Sequence, residues 1–110
     1  KMNTDINFLI SKIKKNKLRN SKISYTSFLI NKGEKYCLNK IKEEFLEFIS
    51  SVKSNKKKDI IYEGADLLYH LLVLLELKKV SFSSVIKELK RRTKFSGIVE
   101  KNSRKNVRQK

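Results

Sequence analysis

The stretch Tyr62-Glu63-Gly64-Ala65-Asp66-Leu67-Leu68-Tyr69-His70-Leu71-Leu72-Val73-Leu74-Leu75 decides the fold class. Past Ala65 it is apolar nearly all round, and it is too long for one strand, so it predicts a helix from about Asp59 to Lys78. A helix with no polar face must be covered on every side. The run Leu67–Leu77 is interrupted by His70 and Glu76 and falls far short of the ~20 apolar residues that a membrane span needs. Its covering must therefore come from other helices. The chain has no proline and three glycines, which suits long helices and disfavours a turn-rich β fold.

Working outward, Ser54 to Lys58 reads as a polar connection, preceded by a helix from about Glu34 to Val52. Its apolar positions Leu38, Ile41, Phe45, Phe48, Ile49 and Val52 fall on one stripe. Gly33 ends or kinks a short helix carrying Tyr25, Phe28 and Leu29, with Ser24 as its N-cap. A first amphipathic helix runs from about Asp5 to Lys17, with Asn16 to Ser21 as a loop. Ser81 caps a last helix ending near Arg92, and residues 93–110 form a basic tail, expected to be partly flexible. The expected fold is all-α, one domain over residues 1–110, with four to five helices in a bundle. One chain of this length leaves the most apolar helix incompletely covered, so a second copy is expected to finish the bundle as a homodimer.

The net charge of +16 attracts phosphate. Yet 22 of the 27 basic residues are lysine, scattered along the chain, whereas a nucleic-acid binder more often clusters arginine with aromatics. No specific nucleic-acid partner is expected, although a polyanionic small substrate would welcome the field. Cys37 is the one cysteine, so neither a disulfide framework nor a cysteine metal cage is available. No secretory pattern stands at the N-terminal residues, and a cytoplasmic protein with no membrane contact is expected.

Of 11 acidic residues, five fall in two short patterns: Glu43-Glu44-Phe45-Leu46-Glu47 (EExxE) and Glu63-Gly64-Ala65-Asp66 (ExxD). At ~100° per residue, Glu43, Glu44 and Glu47 lie together opposite the apolar stripe. Glu63 and Asp66 share a face of the next helix, continued by His70. Antiparallel pairing of the two helices would let the carboxylates converge, at a cost unless a cation joins them. Hard oxygen ligands suit Mg²⁺, which completes its shell with water and substrate phosphates. The bland alternatives are a solvated acidic face for EExxE and a satisfied buried histidine for His70.

These residues also carry a family resemblance. EExxE followed by ExxD is similar to the metal-binding signature of the all-α nucleoside-triphosphate pyrophosphohydrolases of the MazG type. Within that group the 62–75 helix resembles phosphoribosyl-ATP pyrophosphatases almost letter for letter. Ser24-Tyr25-Thr26-Ser27, Lys32-Gly33, Lys40-Ile41-Lys42-Glu43-Glu44, Arg91-Arg92 and Ser96-Gly97-Ile98-Val99-Glu100-Lys101 also resemble elements of that family. The resemblance implies Mg²⁺-dependent hydrolysis of 1-(5-phosphoribosyl)-ATP to its AMP counterpart and pyrophosphate, the second step of histidine biosynthesis. It also implies a homodimer and a fusion or pathway link to phosphoribosyl-AMP cyclohydrolase.

Carried over by motif, Glu43, Glu44, Glu47, Glu63 and Asp66 are the catalytic set, with Glu44, Glu47, Glu63 and Asp66 on the metal. Lys32, Lys35, Lys40, Arg91 and Arg92 are candidate phosphate contacts. Lys42 replaces a usual glycine, and Phe45 and Leu46 are bulkier than is common, which would narrow or shift the site. Three other readings compete: a different nucleoside triphosphate as substrate, a basic nucleic-acid-binding helical protein, and a homologue that folds without turning over.

Overall fold

The structure, a computed structural model, describes residues 2–94 and 101–102, with side chains from residue 5 onward. Among the described residues five helices are defined: α1 Met2–Lys17, α2 Tyr25–Lys32, α3 Glu34–Ser54, α4 Lys57–Leu77 and α5 Phe82–Arg92. No strand occurs among the described residues, so the fold is all-α as expected. The Ser96–Glu100 motif and most of the tail lie outside the described residues. The chain divides into two compact units, one through Val80 and one from Ser81 onward.

In the first unit the helix ends follow from local chemistry. Ser24 adopts an extended backbone, and its hydroxyl accepts from the Ser27 amide at 3.1 Å while donating to the Asn16 carbonyl at 2.7 Å. One buried side chain thus caps α2 and ties it to the end of α1. Gly33 closes α2 with φ 97° and ψ 177°, and the same residue opens α3. That left-handed φ is cheap only for glycine. Asn55, at φ 61°, terminates α3, so the polar connection is much shorter than the sequence suggested and α3 and α4 form a tight antiparallel hairpin.

The hairpin is the most extensive helix pairing in this unit, and α1 and α2 both pack on α4. The helices approach closely at Gly64, where an added Cβ would stand 3.4 Å from the Phe48 ring. Glu76 near the end of α4 accepts from Lys14 at 2.9 Å and from Lys17, which fastens α1. Cys37 is a buried helix thiol donating to the Leu29 carbonyl, and no free sulfur chemistry follows from it.

One expectation needs correction. The buried positions of α3 are Cys37, Glu44 and Ser51, whereas Leu38, Phe45 and Val52 of the supposed core stripe are 41%, 52% and 47% exposed. The carboxylates do not all stand opposite the core: Glu44 lies on the face that α3 turns into the protomer. The stripe is split: Phe48 lies beside Gly64 of α4, while Leu38, Phe45 and Val52 are exposed in this unit. On α4, Leu68 and Leu71 are likewise left 40% exposed. Among the described residues no helix is long and apolar enough to cross a membrane.

The second unit is built on α5. The Ser81 hydroxyl accepts from the Ser84 amide at 3.2 Å, the expected N-cap. Basic residues Lys90, Arg91 and Arg92 fill the last turn, where the helix dipole favours positive charge.

Candidate metal centre

The α3–α4 hairpin brings three of the five motif carboxylates together. One oxygen from each of Glu44, Glu63 and Asp66 lies within 4.8 Å of the others. Glu44 is 7% exposed. Its Oε1, and Oε1 of Glu63, are buried without any hydrogen-bond partner. Buried carboxylate oxygens are ordinarily satisfied, so these two unpartnered oxygens leave a place that a proton or a cation would fill. An octahedral Mg²⁺ shell spans about 4 Å between opposite ligands, close to the spacing here. Hard oxygen donors, held on two packed helices, fit a divalent cation.

The electrostatics agree. Burial pushes the Glu44 carboxyl up, and the charges of Glu47 and Asp66 add to it, while His70 and Lys40 oppose. Burial also raises Glu63, reinforced by the charge of Glu47 and by a carboxyl–carboxyl contact with it, then by Asp66 and Glu44. That contact is a hydrogen bond only while one of the pair keeps a proton. Glu47 therefore belongs to the same field, although it is exposed and not one of the three converging ligands.

Glu43 goes elsewhere. Its side chain is 60% exposed and takes a 3.3 Å bond from Lys40, whose ammonium also stands 3.9 Å from Glu44 Oε2. Of the basic candidates in the first unit, Lys40 is the one seen against the cluster. Lys32 lies over the rings of Phe28 and Tyr36, at 5.9 and 5.2 Å, a cation–π arrangement. Lys35 is exposed. In the second unit Arg91 forks onto both oxygens of Glu88 at 3.0 and 2.9 Å, and Arg92 adds a 3.0 Å bond. Those bonds hold Glu88 far below the usual carboxylate range, at about 2. Phe45 and Leu46, 52% and 65% exposed, do not fill the cluster.

Sequence reasoning underrated a polar–aromatic network beside the cluster. His70 is a satisfied buried histidine: Nδ1 lies 2.7 Å from the Asp66 carbonyl oxygen and Nε2 lies 3.2 Å from the Tyr25 hydroxyl. Tyr69 bonds Thr26, and Tyr25 stacks on Tyr69 and Phe28. The signal was available in the one-turn step from Asp66 to His70.

Two helices that converge three carboxylates, two of them with a buried oxygen lacking a hydrogen-bond partner, define an all-α protein with a carboxylate-built candidate metal centre. Residues 7–93 match the Phosphoribosyl-ATP pyrophosphohydrolase family. The chain belongs to that family, and with it to the hydrolases. It is 46% identical over 82 residues to the histidine biosynthesis bifunctional protein HisIE of Wolinella succinogenes, covering 74% of this chain and 36% of that protein. It is 42% identical to the phosphoribosyl-ATP pyrophosphatase of Allorhizobium ampelinum (74% of this chain, 78% of the relative). With its counterpart from Vesicomyosocius okutanii it shares 47% identity (76% and 79%). The chain thus spans about a third of the bifunctional relative and more than three quarters of the shorter ones.

Proposed function

We propose that this protein hydrolyses 1-(5-phosphoribosyl)-ATP to 1-(5-phosphoribosyl)-AMP and pyrophosphate with Mg²⁺, the second step of histidine biosynthesis. The observation that carries the reading is the pair of orphaned buried oxygens on Glu44 and Glu63, facing Asp66 in a chain of this family. Glu44, Glu63 and Asp66 would hold the ion, with Glu47 as a fourth ligand or the group that orients the attacking water. Mg²⁺ held there would neutralise the polyphosphate and polarise the phosphorus under attack.

The remaining work falls to side chains of this chain. Glu47, exposed and already in electrostatic contact with Glu63 and Glu44, can accept a proton from water at its carboxylate. Lys40 stands at the rim and can meet an incoming phosphate once Glu44 is engaged by a cation. Glu43, through its bond to Lys40, steers that ammonium rather than touching the cluster. Lys32, Lys35, Arg91 and Arg92 are further candidate phosphate contacts, and the excess of 27 basic over 11 acidic residues draws a polyanion inward.

Four wider readings go with this one. The family match crosses from the first unit into the second, which supports residues 1–110 acting as one catalytic domain. The exposed Leu38, Phe45, Val52, Leu68 and Leu71 support a homodimer closed over the α3–α4 hairpin, testable by sedimentation of the purified protein. A nucleotide-processing biosynthetic step fits a cytoplasmic location, and the bifunctional relatives support a pathway link to the cyclohydrolase reaction. The deciding experiment is pyrophosphate release from phosphoribosyl-ATP, with Mg²⁺ and then with excess EDTA. Metal-dependent release that ATP and dUTP do not replace is expected; equal release from ATP would move the substrate to nucleoside triphosphates at large.

A further inference from the structure

Four aromatic rings from three helices form a row that the chemistry above does not use. Tyr69, on α4, is followed by Tyr25 and Phe28, on α2, with centroids 6.1 and 6.0 Å apart and planes within 19° and 18° of parallel. The row ends on Tyr36 of α3, which meets Phe28 edge-on at 5.8 Å. Parallel rings in full face-to-face contact lie roughly 3.5 Å apart, so rings whose centroids are 6.0 Å apart are slipped sideways and do not eclipse one another. That is the offset arrangement aromatic pairs prefer, and it leaves part of each face open. Tyr25 is accordingly 46% exposed, whereas its neighbours Ser24, Thr26 and Ser27 are buried.

The open ring is firmly held. The Tyr25 hydroxyl lies 3.2 Å from His70 Nε2, and His70 Nδ1 lies 2.7 Å from the Asp66 carbonyl oxygen. That oxygen can only accept, so the imidazole proton sits on Nδ1, and in the neutral ring Nε2 accepts from the phenol. The Tyr69 hydroxyl bonds Thr26. His70, 6% exposed, braces both tyrosines edge-on, with centroids 5.8 and 5.3 Å away. Two hydrogen bonds and one imidazole therefore join the exposed phenol ring to a residue of the carboxylate cluster. At the other end of the row Lys32 holds its ammonium over Phe28 and Tyr36. A fixed π surface tied to a candidate metal centre, with a cation further along it, matches a ligand that is itself a flat ring joined to phosphate.

We propose that Tyr25, flanked by Phe28 and Tyr69, is the stacking platform for the base of this protein's nucleotide ligand. The inference deepens the reading above and rests on it for the class of ligand. Every nucleobase has a π face, and stacking on one aromatic side chain is strong enough to orient it. The hydroxyls of Tyr25 and Tyr69 are already engaged by His70 and Thr26, so what the row offers a ligand is chiefly ring face. A base seated there is held in fixed relation to Glu44, Glu63 and Asp66, and its phosphates reach the cluster in one pose, the geometry that catalysis draws on.

The test is calorimetric titration of the full chain, in Mg²⁺, with AMP and with ribose 5-phosphate, the same ligand without its base. AMP is expected to bind about tenfold or more tightly than ribose 5-phosphate, the scale of stacking one base. Tyr25→Leu keeps apolar bulk but removes the π face. It is expected to erase that advantage, with ribose 5-phosphate binding and melting temperature as in the parent. Tyr25→Phe, which loses only the hydroxyl, should keep the advantage. If Tyr25→Leu melts early, the parent protein decides: nuclear Overhauser contacts between the AMP base protons and the Tyr25 ring are expected, and bound AMP without them overturns the proposal. No binding of AMP, equal binding of the two probes, or an advantage that survives Tyr25→Leu overturns the platform while the metal centre stands. So does a Tyr25→Leu chain that sediments as a smaller species, since the face would then belong to a second copy. The catalytic reading fails separately: a parent that binds AMP through Tyr25 but releases no pyrophosphate from phosphoribosyl-ATP supports the platform and removes that substrate.

Discussion

Glu63 and Glu76 stand near opposite ends of α4, and their surroundings are opposites. Glu76 accepts from Lys14 and Lys17; burial alone would raise its carboxyl, but those bonds pull it below the ordinary range. Glu63 faces Glu47, Asp66 and Glu44, and its carboxyl is pushed up. The contrast cannot come from a shortage of cations in a chain with 22 lysines. At Glu76 the lysines finish a contact between α1 and α4. Beside the cluster Lys40 stands 3.9 Å from Glu44 Oε2. One end of the helix is complete as it folds; the other is where the proposed cation would bind.

The comparison can be broken most severely at its acidic end. Glu44→Gln or Asp66→Asn is expected to lower pyrophosphate release about a thousandfold or more, since a bound metal supplies several kcal/mol to the transition state. Far-UV circular dichroism should stay as in the parent. Loss of helix with the activity would make these residues structural and erase the contrast.

Next in size is the response to metal. Mg²⁺ at about a hundred times its dissociation constant should stabilise the parent by about 2.7 kcal/mol, seen as a higher melting temperature that EDTA reverses. Glu63→Gln should lose most of that rise. Without metal the same variant should melt at or above the parent temperature, because it removes a carboxylate that its neighbours repel.

Glu76→Gln should act with the opposite sign, costing roughly 1–3 kcal/mol through the hydrogen bonds to charged donors that it weakens, read by denaturant titration. The pH dependence separates the two ends further. Glu76 has a depressed folded pKa, so its contribution is present above the unfolded value and lost as pH falls through the folded one. Glu44 and Glu63 have raised folded pKa values, so in metal-free protein they favour the fold at low pH and lose that advantage as pH rises through those values. Acid melts of Glu76→Gln against the parent should converge at low pH.

The smallest effect expected is a gain. An added Cβ at Gly64 meets the Phe48 ring at 3.4 Å, an ordinary contact, so Gly64→Ala should stabilise α4 by up to about 1 kcal/mol without changing metal affinity. A loss of stability would show that the hairpin is packed too tightly there to give.

Much of this was legible in the sequence because it is local. The Ser24 and Ser81 caps, the stop at Gly33 and the all-apolar run after Ala65 each depend on neighbours within a few residues. EExxE and ExxD told which acids to watch. What the pattern could not tell was which face of α3 turns inward. Periodicity marks an apolar stripe but does not say whether it meets this chain or another, and Phe45 and Val52 proved to face outward. Nor does spacing reveal that Glu43 would bond Lys40 instead of the cluster, because its side chain had a local partner at i−3. The Tyr25–His70 contact joins residues from different helices, and only the packing of α2 on α4 creates it.

The single-residue junction at Gly33 has a mechanical consequence. With no spacer between α2 and α3, the two helices are geared. Any rotation of α2 about its axis must be absorbed by one pair of backbone angles or passed on to α3, which carries Glu44. The aromatic rim on one helix and the buried carboxylate on the other therefore keep a common phase, set by a junction where a side chain is not admitted without strain.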